Sequence, residues 1–118
     1  MEKRNSNIYA DKKPVLINSI VDYMDRINGM TTVSKICRLF NIAPRTLERH
    51  FNETMGISPR KMLRILRVRH AIRLINEKPD IHLTQISYLS GYYDQSHFIR
   101  DFRKTTGTTP GSFRVRMV

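Results

Sequence analysis

The sequence predicts an all-α protein of about seven helices, arranged as two similar lobes joined by one long helix. Three observations carry that expectation. The chain repeats itself: Ser34-Lys35-Ile36-Cys37-Arg38-Leu39 returns as Thr84-Gln85-Ile86-Ser87-Tyr88-Leu89, Leu47-Glu48-Arg49-His50-Phe51 returns as Phe98-Ile99-Arg100-Asp101-Phe102, and Gly56-Ile57-Ser58-Pro59 returns as Gly107-Thr108-Thr109-Pro110. The punctuation is helical, with Gly29, Gly56, Gly91 and Gly107 where helices should stop and Pro44, Pro59 and Pro110 where they should start. Proline at a first helical position forfeits no needed N–H. No stretch alternates apolar and polar residues around turn pairs, as paired strands would.

Residues 1 to 14 are polar and charged and end at Pro14, so they read as a flexible arm or a linker. A first helix is expected over 15 to 28, closed by Gly29. A short second helix, 33 to 40, carries Ile36 and Leu39 on an apolar face. After the tight connection Asn41-Ile42-Ala43 comes a third helix, 44 to 55, for which Ala43 is a poor N-cap. On it Leu47, Phe51 and Met55 share one side at the i, i+4, i+8 spacing, and Arg45, Arg49 and Asn52 point the opposite way. The fourth and longest helix starts at Pro59 behind a good cap, Ser58, and runs to about 77. Its apolar residues, from Met62 to Ile75, occupy much of the circumference, which suits a strut gripped by a lobe at each end better than a surface helix with one buried stripe. Arg60, Lys61, Arg64, Arg67, Arg69 and Arg73 along it read mostly as solvated charges or internal partners.

A fifth helix, 84 to 90, repeats the second with Ile86 and Leu89. The turn Gly91-Tyr92-Tyr93-Asp94 leads to a sixth, 95 to 105, with Phe98 and Phe102 inward and Ser96, Arg100 and Arg103 outward. A seventh, 110 to 116, follows the cap Thr109. The expected division is an arm over 1–14, a first lobe over 15–58, a linker helix over 59–78 and a second lobe over 79–118.

The 118 residues include 21 Lys and Arg against 10 Asp and Glu, a formal net charge of +11, which favours a phosphate-rich partner. No apolar run is long enough to span a membrane, and the start has no apolar stretch behind its charges, so a cytoplasmic protein is expected. The one cysteine, Cys37, excludes a disulfide within the chain and reads as a small core residue. His50, His70, His82 and His97 fall in different elements without a partnered cysteine set, which argues against a zinc site. No Gly-rich phosphate loop or nucleophile motif occurs, so neither an enzyme nor a cofactor is expected.

A short apolar-faced helix, a tight turn and a polar second helix make the helix-turn-helix pattern, present here twice. Arg49 and Arg100 stand at the centres of the two polar faces, where a planar guanidinium fork fits the O6 and N7 acceptors of guanine. A linker of roughly 20 residues spans about 30 Å, close to the roughly 34 Å between successive major-groove openings on one DNA face. One chain can then fill two neighbouring grooves as a monomer on a non-palindromic site. Lobes held closer than one duplex turn would bend the DNA, at about 1 to 6 kcal/mol. Two other readings stay open: a sequence-indifferent architectural DNA binder, and a basic helical module for an acidic protein. Stacking of Tyr88, Tyr92 and Tyr93 on single strands is a weaker idea, because Phe98 and Phe102 sit at core spacing.

The stretch from about Thr32 to Arg114 resembles the DNA-binding domain of the AraC/XylS family of bacterial transcription regulators. Its most specific segment is Gly91-Tyr92-Tyr93-Asp94-Gln95-Ser96-His97-Phe98-Ile99-Arg100-Asp101-Phe102-Arg103-Lys104, followed by Gly107-Thr108-Thr109-Pro110 and Phe113-Arg114; Arg67-Val68-Arg69-His70-Ala71 with Leu74-Ile75 is similar to the family's linker helix. The resemblance implies homeodomain-like lobes and double-stranded DNA as partner, with RNA polymerase and an N-terminal sensor or dimerisation domain as further partners and the bacterial nucleoid as the place of action. It also implies base reading by Arg45, Thr46 and Arg49 in the first copy and by Gln95, Ser96, His97 and Arg100 in the second. Lys35, Asn52, Gln85, Arg103 and Lys104 would hold phosphates. Two residues depart from the pattern. Ala43 replaces a capping residue, with Pro44 presetting the backbone instead, and Tyr93 replaces a small or acidic one, which suggests that it braces the turn. Glu48 is open to two roles, accepting from cytosine or pairing with a neighbouring arginine.

Overall fold

The computed structural model describes residues 15–116, so the expected arm over 1–14 lies outside it. Among the described residues there are seven helices and no strand: α1 (15–26), α2 (Val33–Leu39), α3 (Pro44–Met55), α4 (Pro59–Glu77), α5 (Leu83–Leu89), α6 (Gln95–Thr106) and α7 (Pro110–Arg116). Helix α1 stops two residues before its expected end because Asn28 and Gly29 both turn left-handed, at φ 55° and 70°. The caps explain most other boundaries. Ser58 Oγ accepts from the Lys61 N–H at 3.1 Å, Thr109 Oγ1 from Ser112 at 3.2 Å, Thr32 Oγ1 from Lys35 at 3.1 Å and Asp94 Oδ1 from Ser96 at 2.8 Å. Ala43 makes no cap bond, and Pro44 at the first position removes one donor that needed an acceptor.

Two cores form, and α4 belongs to both. The first gathers Ile17, Ile20 and Met24 of α1, Ile36 and Cys37 of α2, Leu47 and Phe51 of α3, and Leu63 and Leu66 of α4. The second gathers Val68, Ala71, Leu74 and Ile75 of α4, Ile86 of α5, Tyr92 of the turn, and Phe98 and Phe102 of α6. Phe51, Phe98 and Phe102 are fully buried, each stabilising its lobe by about 1.5–3 kcal/mol relative to exposure. The seam between the cores falls at Arg67, since Leu66 packs in the first and Val68 in the second. The 19 residues of α4 extend roughly 28 Å.

One expectation about packing is corrected. Leu39 and Leu89 do not join the cores beside Ile36 and Ile86; they are 59% and 37% exposed. The reason is helical phase: Cys37 and Ser87 are buried too, so the inward direction lies past Ile36 and Ile86; a step of four lands about 40° past them, on that side, and a step of three about 60° short, on the other. The inward positions are the C-cap residues Phe40 and Ser90 instead. Phe40 sits edge-on to Tyr23, ring centroids 5.8 Å apart, and Ser90 is fully buried.

Candidate nucleic-acid interface

Burial of Leu47 and Phe51 sets the roll of α3 about its axis. Arg49, two residues from each, is thereby turned about 200° away from the core. Arg45, Arg49 and Asn52 are exposed and Thr46 half-buried. Phe98 and Phe102 set α6 in the same way, leaving Gln95, Ser96, His97, Arg100, Arg103 and Lys104 exposed. Lys35 and Gln85 are exposed in the first turns of α2 and α5. All twelve residues singled out in the sequence are therefore at the surface, on equivalent elements of two lobes that share one helix.

Some of them have partners within the chain. The Asn52 side-chain amide donates to the Glu48 carbonyl at 2.7 Å and to its carboxylate at 3.4 Å, so Asn52 occupies Glu48 where a neighbouring arginine was one expectation. Thr84 Oγ1 donates to Gln95 Oε1 at 3.3 Å, tying the start of α5 to the start of α6. His97 leans sideways: its Nε2 lies 3.3 Å from Asp101 Oδ2, and its ring meets Tyr92 edge-on at 5.2 Å. Tyr93 is 102% exposed and braces nothing, contrary to the sequence expectation. The adjacent Tyr92 fills that place, packed against Phe98 at 5.4 Å.

Behind the exposed face of α6 lies a polar cluster in which Arg67, one of the linker-helix cations expected as solvated charges or internal partners, is an internal partner, and in which Asp101 had no expected role. Asp101, one residue before the buried Phe102, is itself buried. Its Oδ2 accepts from the Tyr92 hydroxyl at 2.9 Å and stands 3.8 Å from Arg67 Nη2, at ion-pair distance. Arg67 Nη1 donates to the Gly29 carbonyl at 3.2 Å, and the guanidinium carbon lies 5.2 Å from the Tyr92 ring centroid. A signal for this existed in the sequence. A carboxylate on the inward face of an amphipathic helix is costly unless paired, and the linker helix is where the cations lie. Burial pushes the Tyr92 phenol up to about 12, with Arg67 opposing and Asp101 reinforcing the rise, so the hydroxyl keeps its proton and donates. On the opposite side Arg69 bonds to Asp25 and holds that carboxyl below its ordinary value.

Comparisons with known proteins place this arrangement. Residues 36–116 match the model of a helix-turn-helix domain family. The chain is 36% identical over 108 residues to the HTH-type transcriptional regulator GlxA of Rhizobium meliloti (strain 1021), covering 92% of this chain and 33% of that protein. The chain belongs to the AraC/XylS family. Its fold is also that of the C-terminal domain of AraT, a response regulator from Geobacillus stearothermophilus, with TM-score 0.78 and 22% identity over 86% of this chain and 84% of that one. The DNA-binding domain of AdpA, a global transcriptional factor solved in complex with a target DNA, superposes with TM-score 0.74 at 22% identity, covering 85% of this chain and 90% of that one. The chain spans about a third of the length of the GlxA relative. It corresponds to the helix-turn-helix DNA-binding domain of the AraC/XylS family. Among the described residues there is no strand and no group of three or more His, Cys, Asp or Glu that could hold a metal ion. No described helix is long and apolar enough to cross a membrane.

Proposed function

We propose that this chain is the sequence-specific double-stranded DNA-binding domain of a bacterial transcription regulator, placing α3 and α6 in successive major grooves of a non-palindromic site. The observation that carries the reading is the pair of helices with buried apolar faces and exposed arginine-bearing faces, mounted on one shared helix. The net charge of +11 supplies attraction to phosphates, and the target DNA in the AdpA complex supports the partner. Arg45, Thr46 and Arg49 on α3, and Gln95, Ser96 and Arg100 on α6, read base edges, with His97 at the margin of that surface. Lys35, Asn52, Gln85, Arg103 and Lys104 hold phosphates and fix register. On this reading the protein works at the nucleoid in the cytoplasm, and RNA polymerase and an N-terminal sensor or dimerisation domain are its further partners.

Selection of bound duplexes from a random pool tests the reading, because it yields the two half-sites and their spacing together. Two different half-sites in fixed order are expected, since Arg45 and Thr46 of one copy correspond to Ser96 and His97 of the other. Arg100→Ala should then weaken the selected site by about 1 to 3 kcal/mol and relax preference at one base pair. Recovery of no consensus, with equal affinity for every duplex, would establish a sequence-indifferent binder in its place.

A further inference from the structure

Two reading helices on one chain are useful only if their separation and relative twist are held. The shared helix α4 does part of this, but each core grips only its own half of it, and the grip changes hands at the seam between Leu66 and Val68. Small bending or twisting of α4 at that point would swing one lobe against the other. Arg67 occupies the seam. Its guanidinium reaches the Gly29 carbonyl in the first lobe at 3.2 Å and Asp101 of α6 in the second lobe at 3.8 Å, and lies against the Tyr92 ring. Tyr92 closes the cluster by donating to Asp101. A planar fork with donors spread over separate nitrogens suits such a bridge better than the compact ammonium of a lysine. The turn of the second lobe also approaches the first directly: a Cβ on Gly91 would lie 2.9 Å from Met30 Cγ.

The other cross-lobe pair is weaker by environment. Arg69 and Asp25 are 40% and 52% exposed, where water and salt screen an ion pair. Arg67 and Asp101 are 16% and 9% exposed, where an ion pair is screened far less.

We propose that Arg67, bridging Gly29 to Asp101 and Tyr92, is a positioning residue that fixes the angle between α3 and α6 and so sets the half-site spacing this protein accepts. The proposal rests on the DNA-binding reading above. Inserting one base pair between half-sites moves them about 3.4 Å apart and rotates one about 34° around the duplex. A rigid pair of lobes discriminates against that change, and a loosened pair tolerates it.

The experiment measures Kd on the duplex selected from a random pool and on the same duplex with one base pair inserted or deleted between its halves. The proteins are wild type, Arg67→Met and the double variant Arg67→Met/Asp101→Leu, which removes both charges so that no carboxylate is left buried alone. Circular dichroism and cooperative urea unfolding establish that each is folded, and the double variant carries the measurement where the single one does not fold. In the variants the ratio of Kd between altered and selected spacing should fall by about fivefold or more, the low end of coupling between sites in one chain. Base preference within the half-site read by α3, whose reading residues neither substitution touches, should stay as in wild type. A folded variant that binds more weakly on every duplex by the same factor, with the wild-type spacing ratio, overturns the proposal. Failure of the wild type to select any duplex would instead overturn the DNA reading itself.

Discussion

Gly29 and Gly56 separate backbone strain from steric crowding within one lobe. Both are left-handed, at φ 70° and 76°. Their surroundings differ. An alanine Cβ at Gly56 would meet nothing within 4 Å, whereas at Gly29 it would stand 2.5 Å from the Leu63 carbonyl oxygen, 3.0 Å from Leu66 Cβ and 3.2 Å from the Arg67 nitrogen. Two of those three atoms are backbone of α4, which no rotamer change can move. Gly56→Ala therefore costs the left-handed strain alone, about 1–2 kcal/mol. Gly29→Ala adds the displacement of α4 from α1, for which overpacking of about 1–3 kcal/mol is the appropriate scale, giving roughly 2–5 kcal/mol in all. Against a total stability of about 5–15 kcal/mol that loss is large. Urea unfolding followed by circular dichroism should show a lower midpoint for both variants at unchanged slope, with Gly29→Ala much the lower. Equal destabilisation would show that the close approach of Gly29 to α4 carries no energy.

Four further substitutions probe the helix caps, the second core and a partly buried imidazole. Ala43→Ser should raise stability by about 0.5–1 kcal/mol in urea unfolding by supplying the cap α3 lacks, and Ser58→Ala should lower it by about 1 kcal/mol by removing the bond to Lys61; no gain at 43 would mean that Pro44 already suffices. Phe102→Ala should cost about 3–5 kcal/mol, because the ring is fully buried between Phe98 and Phe113, with centroids 5.8 and 5.5 Å away; a loss below 1 kcal/mol would mean that the second core collapses onto the space. Burial holds the His70 imidazole below its ordinary 6.5, with Arg73 and Arg69 lowering it further and Glu77 opposing. The unfolded chain takes up that proton first on acidification, so stability is full above about pH 6.5 and declines as pH falls toward the folded value. His70→Gln should flatten the pH dependence of the urea midpoint below about pH 6.5, and a slope equal to that of wild type would exclude this role for His70.

Helical content and the two polar faces were legible from the chain because each depends on neighbours within one helix. Prolines at 44, 59 and 110, glycines at 56 and 107, and the i, i+4 spacing of Leu47 with Phe51 and of Phe98 with Phe102 place α3, α4, α6 and α7 within a residue of their observed limits. Where a short helix left two candidates near the inward direction, local pattern was not enough. Leu39 and Leu89 turned outward and Phe40 and Ser90 inward, and of two adjacent tyrosines the first was buried and the second fully exposed.

By itself the sequence determined a duplicated, basic, all-helical chain with an arginine at the centre of each polar face, because periodicity, capping and charge are properties of short segments. Tertiary structure decided how the copies are held together. Gly29, Arg67, Tyr92 and Asp101 come from α1's end, the linker helix, a turn and α6, and no local spacing relates them. Their meeting depends on two cores sharing α4 and dividing it at Arg67, which is settled only when both lobes are packed.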